Sequence, residues 1–351
     1  MTTELNQANK HLVMEYWQAL EHAEPHQIEN VFLTYLKEDS AFNGHDPINR
    51  LQGVQSIASD FWAPLLHSFP DLKRETFIFF GGKSSGRIDG LMDGEMWVCG
   101  TGNFNGTFAK DYLTIPAIGN TVSIRWGEFC HVKNGKITET YFLLDLVDLM
   151  QQAGFDVLPP SLGADGIYPP PQANDGVMID AQDEQTSQYS LEHIRKFIFD
   201  GLNNYDQSEL ESMGMADFFH PEVKWYGPGG IGACLSFNEF ETLHQQPWLK
   251  AYPDRAVQDL DALFAEGNYS GAPGWAGVKA THTGEYKGVP ATGNQLEING
   301  LDWWKREGEV YVENWVFVDM IHLFRQFGVD LFERMHQQHA ARKKPDPDVP
   351  S

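Results

Sequence analysis

The chain of 351 residues is long for one domain and comfortable for two, and 42% hydrophobic with 13% aromatic residues excludes a disordered protein. Forty-nine acidic residues against 25 basic ones give a net charge of −24, which argues against nucleic acid or an anionic membrane as partner. Cys99, Cys130 and Cys234 lack metal-ligand spacing, and the polar N-terminus has no signal-peptide run, so no metal and a cytoplasmic location are expected.

In chain order, residues 6–36 carry apolar residues at helical spacing (Leu12, Tyr16, Leu20), and a shorter helix is expected over 54–67. Alternating β-branched and aromatic runs follow. Asn134-Gly135 between Val122–Val132 and Ile137–Leu144 signals a hairpin. Asp156 to Gln188 is rich in Pro and Gly and reads as an extended linker. The series then repeats: helices over 189–219 and 236–251, strands, and a hairpin at Glu307-Gly308. A last helical segment follows Gly328, and Arg342-Lys343-Lys344-Pro345 reads as a frayed basic end or a contact patch.

The repetition is literal. Residues 106–156 align without a gap on 280–330 at an offset of 174, so Asp111-Tyr112 answers to Glu285-Tyr286 and Asp145 to Asp319. Upstream the offset is 183: Phe42 answers to Trp225, and Phe69-Pro70-Asp71 to Tyr252-Pro253-Asp254. The nine residues of difference fit a longer loop at Gly81–Gly86 in the first copy. Helices followed by hairpin-linked strands indicate an α+β class, with a curved antiparallel sheet folded over N-terminal helices in each copy. The expected divisions are 6–156, a linker 157–188, 189–332, and a tail 333–351.

Asp145 and Asp319 each end an apolar strand and precede another apolar run. Such an acid either caps the following helix or, buried, has a raised pKa suited to proton transfer. Glu128 and Asp302, 17 residues earlier, also correspond. Counting about the turn sets Glu128 opposite Tyr141 and Asp302 on the face of Trp315, where each would share a face with the terminal Asp. Alternatively they are strand-end surface acids.

Thr281-His282-Thr283-Gly284-Glu285-Tyr286-Lys287-Gly288-Val289-Pro290, followed by Glu313-x-Trp315-x-x-x-Asp319-x-x-x-Leu323-x-x-Gln326-x-Gly328, resembles the signature of SnoaL-like polyketide cyclases (ester cyclases) of the nuclear-transport-factor-2-like superfamily. The resemblance covers both halves. It implies two tandem cones, each with an apolar cavity, and an Asp at the position of Asp319 that removes a proton beside a carbonyl for an intramolecular aldol closure, without metal or cofactor. Catalytic roles are therefore expected for Asp145 and Asp319, in two separate pockets. Glu128, Asp302, His282, Tyr141, Trp315, Trp225, Phe42, His45 and His131 are the candidate substrate-binding residues.

The first copy departs from the pattern, with Phe108 in place of His282. His131 lies 14 residues before Asp145, where some cyclases carry a histidine, but strand parity puts it on the opposite face unless a bulge intervenes. His282 and His45 are equally readable as strand-end and turn residues. The leading expectation is a cofactor-free cyclase, isomerase or dehydratase acting on a small apolar or carbonyl-containing substrate. The alternative is a binding or scaffolding protein with one or both cones inactive; a hydrolase lacks a clear set of water-holding partners. Family homodimers commonly pair through sheet faces, so the two copies are expected to form an intramolecular pseudo-dimer, with further homo-oligomerisation open.

Overall fold

The computed structural model describes residues 2–342; the basic segment Lys343-Lys344-Pro345 lies outside it. In the first domain, α1 (Thr2–Glu21) and α2 (Ile28–Tyr35) lead into β1 (Leu36–Gly44) and β2 (Arg50–Gln52). One helical stretch follows, α3 (Val54–Ile57) running through a π-turn (Ala58–Trp62) into α4 (Ala63–Ser68). The long strands β3 (Lys73–Lys83), β4 (Met96–Thr107), β5 (Thr121–Lys133) and β6 (Lys136–Leu144) complete the sheet, and α5 (Leu146–Gln152) closes the domain. The sheet order is β2-β1-β6-β5-β4-β3. Because β1 runs parallel to β6, the sheet is mixed where an antiparallel one was expected.

The second domain repeats this plan. It has α6 (Glu184–Arg195), α7 (Met215–Phe218), β7 (Phe219–Tyr226) and β8 (Ala233–Cys234), then α8 (Phe237–Glu239) joined through a π-turn (Phe240–Gln245) to α9 (Gln246–Ala251). After β9 (Ala256–Val257) and β10 (Phe264–Glu266) come β11 (Tyr269–Thr281), β12 (Gln295–Glu307) and β13 (Val310–Val318), with α10 (Met320–Gln326) and α11 (Leu331–Arg342) at the end. Again one strand pair, β13 with β7, is parallel.

Each hairpin contains a feature that strand counting misses. On β6 the pairing passes from Val132↔Ile137 to His131↔Glu139, so Thr138 is an extra residue, a β-bulge. On β13 it passes from Arg306↔Tyr311 to Lys305↔Glu313, which makes Val312 the equivalent bulge. A shift of one residue turns every later side chain to the other face. Glu128 therefore lies opposite Phe142, not Tyr141, and Asp302 lies opposite Val316, on the other face from Trp315. The first turn is Asn134-Gly135, with φ of 52° and 70°; the second falls one residue later than expected, after Glu307.

Two faces thus have different fates. Toward the helices point Trp126, Glu128, Phe142 and Leu144, and in the second domain Gly300, Asp302, Asn314 and Val316. The outer faces of the two sheets pack on each other, with Phe80, Phe129, Tyr141, Leu143, Trp303, Trp315 and Phe317 in one buried layer. Phe129 stacks on Trp303 with ring centres 4.9 Å apart, and Gly127 leaves room for that indole, since a Cβ there would come within 2.6 Å of it. The segment between the domains is extended but pinned into this contact. Tyr168 is buried there with its hydroxyl 2.7 Å from Thr101 Oγ1, Trp315 Nε1 donates to the carbonyl of Pro169, and Phe79 and Gly176 share a backbone bond.

Candidate active site in the second domain

The second domain encloses a cavity of about 170 Å³ between its helices and its sheet. Trp225, Trp248, Trp304 and Phe240 supply apolar walls; Asp302, His244, Gln245, Asn314 and Arg255 supply polar atoms. Its origin is visible when the two copies are compared. Trp126, Phe104, Phe142 and Arg74 of the first domain become Gly300, Val278, Val316 and Val257 in the second, and the pairing confirms the match: Arg74 neighbours Phe104 as Val257 neighbours Val278. Smaller side chains at four interior positions leave the space open.

Asp302 projects from the middle of β12 into this cavity. It is half-buried and lines the cavity. Burial without a cation pushes its carboxyl up to about 7, against the smaller opposing effect of the Asn314 amide. That amide also donates to the Trp303 carbonyl at 2.8 Å. His244 lies against Trp225 with ring centres 4.1 Å apart. Burial, and then the charges of Lys287 and Arg255, lower its pKa to about 3, which keeps the imidazole neutral. Gln245, whose Oε1 has no hydrogen-bond partner among the described residues, adds a polar atom.

In the first domain the equivalent acid faces no cavity. Glu128, the counterpart of Asp302, is ion-paired with Arg74 at 3.0 Å, both buried. The Arg74 guanidinium lies 4.2 Å from the ring centre of Trp126, 4.4 Å from Trp17 and 4.9 Å from Phe104. Burial raises the Glu128 pKa and Arg74 opposes it. With Trp62 these rings and the ion pair close off Glu128, and a pocket of about 380 Å³ lies outside them, bordered by Trp17, Trp62, Phe104 and Arg74 but not by the acid.

The terminal aspartates lie elsewhere. Separate pockets were expected for Asp145 and Asp319; instead both sit at the contact between domains, around a cleft of about 10 Å³ that also includes His45. Each caps its own helix: Asp145 accepts from the Asp148 N–H and Asp319 from the His322 N–H, both at 3.0 Å. With the second oxygen each reaches the other domain, Asp145 accepting from Gly229 N–H at 2.7 Å and Asp319 from Asp46 N–H at 2.8 Å. The two bonds are counterparts, since Asp46 and Gly229 correspond at offset 183. Arg125 adds an ion pair to Asp145 at 3.3 Å. Burial pushes the Asp319 carboxyl up to about 7.

The other sequence-predicted residues divide similarly. Trp225 lines the second-domain cavity, whereas Phe42 packs in the first-domain core, its ring tilted against Phe61 with centres 4.7 Å apart. Tyr141 donates to Asp261 at 2.7 Å and Trp315 to Pro169, both in the layer between the sheets, because the bulges turn them outward. His131 bonds Glu95 at 2.6 Å and lies against Trp97, likewise outside the cone. His282 is buried between Phe327, at 4.1 Å, and Tyr252; Phe69 and Phe108 stack equivalently in the first domain. His45 bonds the Asp46 carbonyl, and burial lowers its pKa to about 4. Sequence reasoning passed over His244, Gln245 and Arg255; the signal was their contrast with Phe61, Trp62 and Leu72 at offset 183.

Two helix-wrapped, bulged sheets with a buried acid on the concave face define a tandem α+β protein of the nuclear-transport-factor-2-like class. The model of SnoaL-like polyketide cyclases matches residues 12–153 and 193–327, and the chain belongs to that family. Membership supports a cofactor-independent role of cyclase or isomerase type. No curated protein matches the chain. Among solved structures, AclR from Streptomyces galilaeus is 20% identical, covering 40% of this chain and 97% of its own, with a TM-score of 0.34. IdmH from Streptomyces antibioticus is 19% identical over 40% of this chain and 99% of its own, with a TM-score of 0.32. A SnoaL-like polyketide cyclase from Agrobacterium tumefaciens strain C58 is 20% identical over 40% and 94%, with a TM-score of 0.30. Among the described residues no helix is long and apolar enough to cross a membrane.

Proposed function

We propose that the second domain is the working cone, in which Asp302 takes a proton from a carbon beside a carbonyl and returns it later in the same turnover. The observation that carries this reading is a carboxyl group with no cationic partner, facing the cavity, with a pKa near 7. A base tuned to the working pH is neither spent as a proton carrier nor too weak to remove the proton. The resulting enolate carbon attacks a second carbonyl of the same folded substrate, forming a carbon–carbon bond. The new alkoxide then takes the proton back from Asp302. If no second carbonyl is in reach, return of the proton to another carbon is an isomerisation. Neutral His244 and the Gln245 amide supply hydrogen bonds to the oxygen on which charge develops. The aromatic walls hold the chain folded and exclude water.

The first domain is assigned a structural role, because Glu128 is held by Arg74 and does not reach the pocket of that domain, which stops at Arg74. The test is deuterium incorporation beside the carbonyl of small aryl ketones in heavy water, followed by NMR. The wild type should catalyse it; Asp302→Asn should lose the activity, and Glu128→Gln should not. Equal exchange by wild type and Asp302→Asn would refute the assignment.

A further inference from the structure

Arg255 is the one arginine or lysine among the described residues that line the Asp302 cavity, and it is 7% exposed. A buried guanidinium normally faces a carboxylate, as Arg74 faces Glu128 and Arg125 faces Asp145 in the first domain. Among the described residues Arg255 has no ion-pair partner. Its contacts are neutral: Nη1 donates to the Leu202 carbonyl at 2.7 Å and Nη2 to the Met213 sulfur at 3.1 Å. A thioether is a weak acceptor, so one arm of the fork is poorly satisfied. The first domain has Leu72 at this position. The arginine that borders the first domain's own pocket, Arg74, is neutralised by Glu128, whereas Arg255 has no such partner.

Its surroundings add to the point. Lys287 also acts on the far side of His244, which borders both this cavity and an adjoining one of about 240 Å³ reached past Pro159 and Leu162. Lys287 forms no ion pair among the described residues, although Glu285 and Asp165 act on it from a distance. A protein with a net charge of −24 thus places two cations without ion-pair partners near His244, Arg255 in the Asp302 cavity and Lys287 in the adjoining one. Cations placed so in an acidic protein favour an anion over a neutral ligand.

From this we infer that the substrate of the second domain is an organic anion, a carbonyl compound bearing a carboxylate that Arg255 pairs with, the apolar body lying against Trp225, Trp248 and Trp304. The inference rests on the reading of the cavity as the substrate site. It adds a demand that proton transfer at Asp302 does not make. A guanidinium matches a carboxylate with two parallel hydrogen bonds, and an ester or amide cannot replace the charge.

The probes are 4-oxo-4-phenylbutanoate, its methyl ester and its amide, with binding read by quenching of tryptophan fluorescence in the full chain at pH 8. The acid should bind the wild type at least ten-fold more tightly than either neutral analogue. In Arg255→Gln that preference should collapse to near unity while ester binding persists, and Arg255→Lys should restore part of it. Equal binding of acid and ester by the wild type would overturn the proposal, as would no binding of the acid at millimolar concentration, or an unchanged preference in Arg255→Gln. The acid–ester comparison on the wild type stands even if a variant fails to fold. Deuterium exchange beside the ketone of the bound probe reads Asp302 separately. Exchange without preference for the acid overturns the anion and keeps the base; preference for the acid without exchange does the reverse.

Discussion

At the scale of single residues, the two copies carry the same acid in opposite circumstances. Asp302 has lost its cation and gained a cavity; Glu128 has an arginine in four aromatic rings. The difference has consequences for both rate and stability. As a base Asp302 works only when ionised, so turnover should rise with pH through about 7 and level off above it. Its effect on stability follows from linkage. The folded chain keeps this proton up to about pH 7, whereas an unfolded chain releases it near the ordinary carboxyl value. Folding is therefore increasingly penalised as pH climbs from about 4 to 7, and the penalty is constant above that. Asp302→Asn should raise Tm relative to wild type at pH 8 and leave it nearly unchanged at pH 4; thermal scans at the two pH values check this. Removing Glu128 has the opposite sign. Glu128→Gln strands a buried guanidinium and should cost about 3–5 kcal/mol in denaturant unfolding, while adding Arg74→Met should recover most of it. If Glu128→Gln alone is harmless, the pair does not hold the first cone closed.

At the scale of elements, the sequence carried the hairpins and hid the faces. Val122–Val132, Asn134-Gly135 and Ile137–Leu144 are legible because period-2 alternation and an Asn-Gly turn are local signals. The bulges at Thr138 and Val312 leave no such mark, because an extra residue in a strand of mixed polarity alters nothing in composition. That one residue moved Tyr141 and Trp315 from the supposed cavity into the contact between sheets. The terminal aspartates were legible as caps or bases, and only their neighbours decide between the two. Capping is a backbone service, and asparagine retains an acceptor for it. Asp319→Asn keeps one of the two acceptors and should therefore retain activity, with a loss of stability at pH 4 that shrinks at pH 8, where the buried carboxylate of the wild type is itself penalised. Asp319→Ala leaves the N–H groups of His322 and Asp46 without their acceptor and should cost about 1–3 kcal/mol. Loss of turnover in Asp319→Asn at unchanged Tm would return the catalytic role to this position.

At the scale of the whole molecule, duplication has let one cone serve as the partner of the other. A sheet face bearing Tyr269, Leu301, Trp303, Trp315 and Phe317 cannot be left in water, and the first domain covers it with Phe80, Phe129, Tyr141 and Leu143. The contact is reinforced from both ends: the crossed aspartate bonds to Gly229 and Asp46 at one side, and Lys10 with Glu266, paired at 2.7 Å, at the other. Residues 164–178 thread through the middle, so a segment readable only as an extended linker is part of the core. Domains joined by so apolar and interlocked a layer lose much of their stability when parted. The full chain should therefore unfold in one calorimetric transition. Placing Ala at Gly127 drives a methyl into the Trp303 ring at 2.6 Å and should lower that single Tm without splitting it. Two separate transitions in the wild type, one of them insensitive to Gly127→Ala, would mean that the domains stand alone and that the first cone is not what supports the open second one.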